Sequence, residues 1–203
     1  MTVTDKILDY CTGAFFRLGI KSVSMDDISR EIGISKKTLY AYYPAKQKLV
    51  YKAVNLYVKQ EEKDIASLVE SSADAIDEVI NIARHNIKFF QSISPSAIYD
   101  LQKYYPEIWK SIETKHFSFI YNIVKENIDR GIHEKIYRED LNPDIIARLY
   151  VQKALSIADD KIFPIHSFDK TLLVREFIKY HLHGISNENG LKKLETIVIS
   201  WPK

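Results

Sequence analysis

Apolar residues recur along this chain at spacings of three and four, the period of amphipathic helices. Ile7, Leu8, Cys11, Phe15 and Leu18 form one such stripe and predict a first helix over about residues 4–18, ended by Gly19. Ser24 is placed to cap a second helix, with Asp27 three residues on in the capping-box position and Asp26 favourable in the first turn. Ile28 and Ile32 of that helix face inward. Gly33 supplies the left-handed residue a tight turn needs, and Ser35 then caps a third helix running to about Tyr43. Pro44 breaks the pattern before a long fourth helix, from about residue 45 into the high 60s. Further helices are predicted at about 74–91, 95–103, 106–131, 143–159, 169–185 and 188–200, with Pro95, Pro106 and Pro143 in first-turn positions. Residues 132–142 and 161–168 read as loops. No run alternates as a half-buried strand would, and the β-branched stretch Thr196–Ser200 is too isolated to build a sheet. The fold class is therefore all-α.

Two short helices joined by a glycine turn, over Ser24 to Leu49, have the form of a helix-turn-helix, which places its second helix in a DNA major groove. The charge distribution supports that reading. The whole chain carries a formal charge of only +2, but residues 1–50 hold eight Lys/Arg against five Asp/Glu. No acid falls between Glu31 and Glu61, where Lys36, Lys37, Lys46, Lys48, Lys52 and Lys59 all lie. A basic run beside a helix-turn-helix fits a phosphate-facing surface.

Composition narrows the class further. At 203 residues, 46% hydrophobic and 28% charged, the chain is globular and long enough for a small head and a larger body. No apolar run reaches the ~18 residues of a membrane helix, and the N-terminus, with acids and no apolar core, is not a secretory signal, so a cytoplasmic protein is expected. The single cysteine, Cys11, excludes an intramolecular disulfide and a cysteine-cluster zinc site. Six histidines are scattered with no HExxH, and His181 and His183 stand two apart on a helix, facing different ways, so no metal and no cofactor are expected. Serine-nucleophile elbows, phosphate loops and dinucleotide glycine fingerprints are missing from the sequence, and no catalytic residue is assigned.

From about Ala14 to Leu49 the sequence resembles the TetR family of transcriptional regulators. The matching residues are Phe16, Gly19, Ser24, Asp27-Ile28, Gly33-Ile34-Ser35, Thr38-Leu39-Tyr40, Tyr43, Lys46 and Leu49. Ser29 and Ile32 depart from the family's frequent alanines, and Lys37 stands where a small residue is common. The resemblance implies a DNA-binding domain over 1–47 and a helical effector-binding and dimerisation domain over 48–203. It implies a homodimer on a palindromic double-stranded DNA operator, paired through helices at about 143–159 and 169–185, and repression relieved by a small-molecule effector. No membrane partner is expected. The alternative is a helical protein-interaction module without specific DNA binding, against which the acid-free lysine run argues.

On the third helix, Ile34 and Leu39 should pack inward and leave Lys36, Lys37, Thr38, Ala41 and Tyr42 exposed. Lysine can neutralise phosphate or donate to guanine, and Thr38 can bond phosphate or touch a thymine methyl. Tyr42 and Tyr43 offer hydroxyl donors on rigid rings, whereas Tyr40, beside Leu39, is expected in the core. Lys46 matches the family's phosphate-contacting lysine, at a helix start whose dipole adds positive potential. Ser24 and Ser35 are caps that also stand near the backbone. The expected DNA-binding set is thus Ser24, Ser35, Lys36, Lys37, Thr38, Tyr42, Tyr43 and Lys46.

A pocket of the family's kind would lie among the aromatic middle helices, apolar with a few polar groups to orient a ligand. Lys153 falls on the stripe of Ile145, Ile146, Leu149, Tyr150, Ala154 and Ile157, where it would either meet an anionic ligand or snorkel to an acid. With it, His85, Phe89, Trp109, His116 and Tyr150 are the candidate ligand residues. His181, on the stripe of Leu173, Phe177, Tyr180 and Gly184, reads as a core or interface histidine with its hydrogen bonds satisfied.

Overall fold

The computed structural model describes residues 2–159, 161–164 and 166–198; the side chains at 89, 90, 158 and 198 lie outside that description. Among the described residues the chain forms ten helices: α1 (Val3–Leu18), α2 (Met25–Glu31), α3 (Lys36–Tyr42), α4 (Lys46–Ser71), α5 (Ala75–Ser92), α6 (Pro95–Tyr104), α7 (Pro106–His133), α8 (Pro143–Ala158), α9 (Lys170–Ile185) and α10 (Glu188–Val198). The all-α expectation is met, and most boundaries lie within one or two residues of the sequence reading; residues 199 and 200 of the last predicted helix fall outside the described residues. Local chemistry sets these ends. Thr2, Ser24, Ser35, Ser94, Asn142 and Asp169 each accept a hydrogen bond from a first-turn amide, which satisfies a donor the helix itself cannot.

Two compact units result. The first takes in residues 1–64 and 91–115, and the second residues 65–90 and 116–203. The first unit buries Phe15, Ile20, Ile28, Leu39 and Leu49 completely. Its membership of α6 rests on hydrogen bonds that span the sequence. The Ser94 amide donates to the Phe16 carbonyl at 2.7 Å, and the Lys21 amide donates to Oδ2 of buried Asp100 at 2.7 Å. The compact unit around the helix-turn-helix is thus wider than the 1–47 segment that carries the motif.

The second unit is organised around Tyr137, which is fully buried and whose hydroxyl lies 3.1 Å from both the Ala75 carbonyl oxygen and Asn127 Oδ1, which share its one proton. Its ring covers Gly131 on α7, where an added Cβ would stand 2.0 Å from the ring. Because the ring is fully buried and its hydroxyl is anchored on Ala75 and Asn127, Gly131→Ala is expected to cost about 3 kcal/mol in overpacking, offset by about 1 kcal/mol of helix propensity. The net loss, about 2 kcal/mol, would be read from urea denaturation; an unchanged midpoint would show that Tyr137 can move aside.

Candidate functional site

The helix-turn-helix is built by capping. The Ser24 hydroxyl accepts from the Asp27 amide at 3.1 Å, and Asp27 Oδ2 accepts from the Ser24 amide at 3.0 Å, so the start of α2 is closed reciprocally. The Ser24 hydroxyl, which donates to Asp27 Oδ2 at 2.6 Å, and then the Ser24 amide hold the Asp27 carboxyl below the usual carboxylate range. Gly33 has φ +70°, the left-handed conformation that lets the chain reverse between α2 and α3. Ser35 then accepts from the Thr38 amide at 3.0 Å and shares a 2.8 Å hydrogen bond with the Thr38 hydroxyl. Both serines are exposed but already occupied as caps.

Helix α3 carries Lys36 and Lys37 and no acid, with Leu39 anchored in the core. Lys36, Lys37, Ala41 and Tyr42 are exposed, as the spacing predicts, whereas Thr38, expected to be exposed with them, is half-buried. Lys36 Nζ reaches Asp26 Oδ2 at 2.6 Å, an exposed pair that a phosphate can displace at small cost. Tyr40 and Tyr43 exchange their expected places. Tyr40 is 45% exposed and stands on the outer surface, whereas Tyr43 is 3% exposed. Leu39 and position 43 lie four residues apart on one helical face, so the core that takes Leu39 takes Tyr43 as well. Burial raises the Tyr43 phenol above its ordinary value and leaves its hydroxyl without a hydrogen-bond partner, so this side chain does not offer a donor to the surface.

Lys46, at the start of α4, turns partly inward. Its Nζ donates to the Ile20 carbonyl at 2.5 Å and lies 5.8 Å from the centre of the Phe15 ring. Half-burial lowers its affinity for the proton, partly opposed by the charge of Asp100. The lysine thereby ties the first turn of α4 to the segment between α1 and α2.

A second constellation lies wholly within the second unit, where a cavity of about 90 Å³ is walled by Ile65, Val79, Phe119 and Ile120 among other apolar side chains. Its polar wall includes Glu78, His116, Asn127, Tyr150 and His181. Glu78 is 2% exposed and pairs with Arg130 Nη1 at 3.0 Å; burial raises its carboxyl above the usual range, while Asn127 and Arg130 lower it. His116 is shifted toward the neutral form by burial. His181 is pushed down to about 4 by burial and, secondarily, by the charge of Lys153. Its ring centre is 4.7 Å from that of Tyr150, and its Nε2 has no hydrogen-bond partner.

Of the residues expected at a ligand site, His116 and Tyr150 line this cavity. Lys153 does not: it is exposed, with Nζ 4.4 Å from the Tyr180 ring centre and 3.4 Å from its hydroxyl. Tyr150 and Ala154 face the cavity, whereas position 153, at the edge of that stripe, turns outward. Trp109 packs against the core of the first unit. His85 is half-buried and is not part of the cavity wall, where its neighbour Asn86 is, and the Phe89 side chain lies outside the described residues. His181, expected to be satisfied in a core or interface, instead has an unpartnered nitrogen at the cavity. No local pattern marks Glu78 or Asn127; Glu78 meets Arg130 on α7 and Asn127 meets the Ala75 carbonyl at the start of α5, partners far away in sequence.

A capped helix-turn-helix with a basic second helix and a separate helical unit defines a DNA-binding transcriptional regulator. Residues 7–53 match the model of the bacterial regulatory proteins of the tetR family. The HTH-type transcriptional regulator YvaF of Bacillus subtilis, itself uncharacterized, is 25% identical over 81% of this chain and 86% of its own length. Among solved structures, a transcriptional regulator from Cytophaga hutchinsonii superposes with a TM-score of 0.75 at 20% identity, covering 91% of this chain and 98% of that one. A regulator from Saccharomonospora viridis, solved in complex with choline, does so with a TM-score of 0.63 at 16% identity, covering 91% and 97%. Residues 7–53 are thus similar to the DNA-binding domain of the tetR family, and most of the chain is similar to bacterial transcriptional regulators. No helix among the described residues is long and apolar enough to cross a membrane.

Proposed function

We propose that this protein is a cytoplasmic homodimeric repressor that binds a palindromic operator through two copies of α3 and leaves it when a small molecule occupies the second unit. The observation that carries the DNA reading is the outer face of α3, where Lys36, Lys37, Thr38 and Tyr42 stand together on a helix locked by Ser24, Gly33 and Ser35. Tyr40 joins that face. Ser24 and Ser35 sit at the starts of α2 and α3, where backbone amides favour phosphate. Lys46 supports the interface from behind by holding the Ile20 carbonyl.

Dimerisation is supported by an apolar face on the second unit. The inner sides of α8 and α9 meet through Tyr150 and Phe177, whose ring centres are 4.8 Å apart. Ile145, Leu149, Leu172 and Tyr180 on the same two helices remain exposed. Such a face suits a two-fold partner, and two heads one DNA turn apart would read both half-sites. A ligand can release the operator only by preferring the state with lower DNA affinity.

The test is fluorescence anisotropy with a duplex selected from random DNA, titrated at two salt concentrations. Lys37→Ala is expected to flatten the salt dependence by about one unit per protomer and to change sequence preference. Thr38→Ala should change preference with the slope kept. Lys46→Ala is expected to weaken binding to every duplex while leaving the slope nearly unchanged, because its ammonium is engaged by a protein carbonyl. No selected duplex at all, or a Lys37→Ala slope equal to the wild type's, would remove the proposed role of α3.

A further inference from the structure

The cavity of the second unit makes a statement about charge. Its wall is mainly aliphatic and aromatic, and each ionisable group on it is either paired or held neutral. The Glu78 carboxylate is committed to Arg130 at 3.0 Å, and so is no free counter-ion for an ammonium group. The same carboxylate would repel an anion. Burial keeps His116 and His181 from becoming cations near neutral pH, with His181 pushed down to about 4. Lys153, the one lysine that the sequence pattern pointed toward this region, is exposed and lies over Tyr180.

A fully enclosed nitrogen of the cavity wall is left without a partner. His181 is 8% exposed, lines the cavity, and its Nε2 makes no hydrogen bond. An unpaired buried polar group is destabilising, and a ligand group that bonds it would recover that loss. A hydroxyl serves either tautomer of the ring, since it both donates and accepts.

We propose that this cavity binds a small uncharged aliphatic molecule whose hydroxyl hydrogen-bonds Nε2 of His181. This rests on the reading of the second unit as effector-binding and adds the chemical class of the effector. Scaled against a ~150 Å³ cavity that takes benzene, 90 Å³ accommodates about four non-hydrogen atoms, or slightly more with side-chain adjustment. The apolar part supplies affinity by burial, and the single hydroxyl sets orientation. A charged molecule of equal size would lose its hydration without gaining a counter-charge.

Three probes with the same four-carbon chain test this on the full chain: butan-1-ol and butylammonium, each of five non-hydrogen atoms and so the size-matched pair, and butanoate, of six. Each is titrated at neutral pH while the His181 ring nitrogens are followed by ¹H–¹⁵N NMR. Butan-1-ol is expected to shift the His181 signals saturably, at concentrations at least tenfold below those of either ion. His181→Phe, which keeps the ring and removes the nitrogen, should weaken butan-1-ol by about tenfold. If that variant does not fold, the three-probe comparison on the unaltered chain still decides. Equal or tighter binding of an ion at His181 overturns the uncharged class while leaving the cavity as a ligand site. No shift with any probe overturns the cavity as an effector site, and DNA anisotropy then shows whether the DNA-binding reading stands without it.

Discussion

A protein carrying Leu149→Glu and Leu172→Glu is expected to sediment as a 23.6 kDa monomer and to bind its operator at least a hundredfold more weakly than the parent chain. Both leucines are more than half exposed on the outer side of α8 and α9, so the substitutions remove no core contact. On a two-fold interface every contact occurs twice. Two leucines on each of two protomers, at roughly 2 kcal/mol apiece, contribute on the order of 8 kcal/mol to the dimer. Four glutamates in the same patch would add mutual repulsion and desolvation to that loss. DNA affinity should fall with the dimer because an isolated head covers one half-site and loses the advantage of a tethered second one. Weak binding to random duplex at low salt should survive, since the lysines of α3 are untouched. Unchanged helicity by circular dichroism would show that the fold is intact. A variant that still sediments as a dimer would mean that α8 and α9 do not form the interface.

What the sequence revealed divides by the range of the interaction responsible. Helix ends are local: Ser24 with Asp27, Gly33, Ser35, and Pro143 after Asn142 act within four residues, so they could be read directly from the chain. The inward phase of Leu39 is equally legible, and one turn on it falls at position 43. Position 43 shares that face and position 40 does not, which places Tyr43 inside and Tyr40 outside. The attachment of α6 to the first unit depends on Ser94 finding Phe16 and Asp100 finding Lys21, pairs 78 and 79 residues apart that leave no periodic trace. The polar wall of the cavity has the same character. Glu78 on α5 reads as one of two first-turn acids, ordinary helix-end chemistry, until Arg130 from α7 is seen beside it. His181 and Tyr180 are neighbours on one stripe in sequence, yet one is buried at the cavity and the other is 66% exposed. A stripe drawn one residue too wide cannot separate an inner face from an interface.

The strongest effect on the second unit itself is expected from Arg130→Met. Arg130 joins three elements: Nη1 to Glu78 at 3.0 Å, Nε to Glu134 at 2.8 Å, and Nη2 to the Ser72 carbonyl at 3.0 Å. Glu134 in turn accepts from the Ala75 amide at the start of α5 at 2.8 Å. Methionine keeps much of the volume but leaves Glu78 buried and unpaired, which at neutral pH should cost about 3–4 kcal/mol. The pH dependence identifies the cause. Burial already raises the folded-state value of Glu78 above its ordinary 4.5, so the folded protein binds its proton more readily than the unfolded chain does. The stabilisation from holding that proton is full below the unfolded value and is lost as pH rises through the folded one. Removing Arg130 raises the folded value further and extends that window toward neutrality. The destabilisation, measured by urea denaturation, should therefore be largest at pH 7 and shrink as the pH falls toward 5. Adding Glu78→Gln to Arg130→Met should recover much of the stability at pH 7 and flatten the pH dependence, because an amide needs no counter-charge. A deficit equal at both pH values, or one that Glu78→Gln does not relieve, would mean that the bonds to Ser72 and Glu134, rather than the charge on Glu78, are what Arg130 supplies. Because Glu78 is also part of the cavity wall, its neutralisation by Arg130 is a condition both of the fold and of an uncharged ligand site.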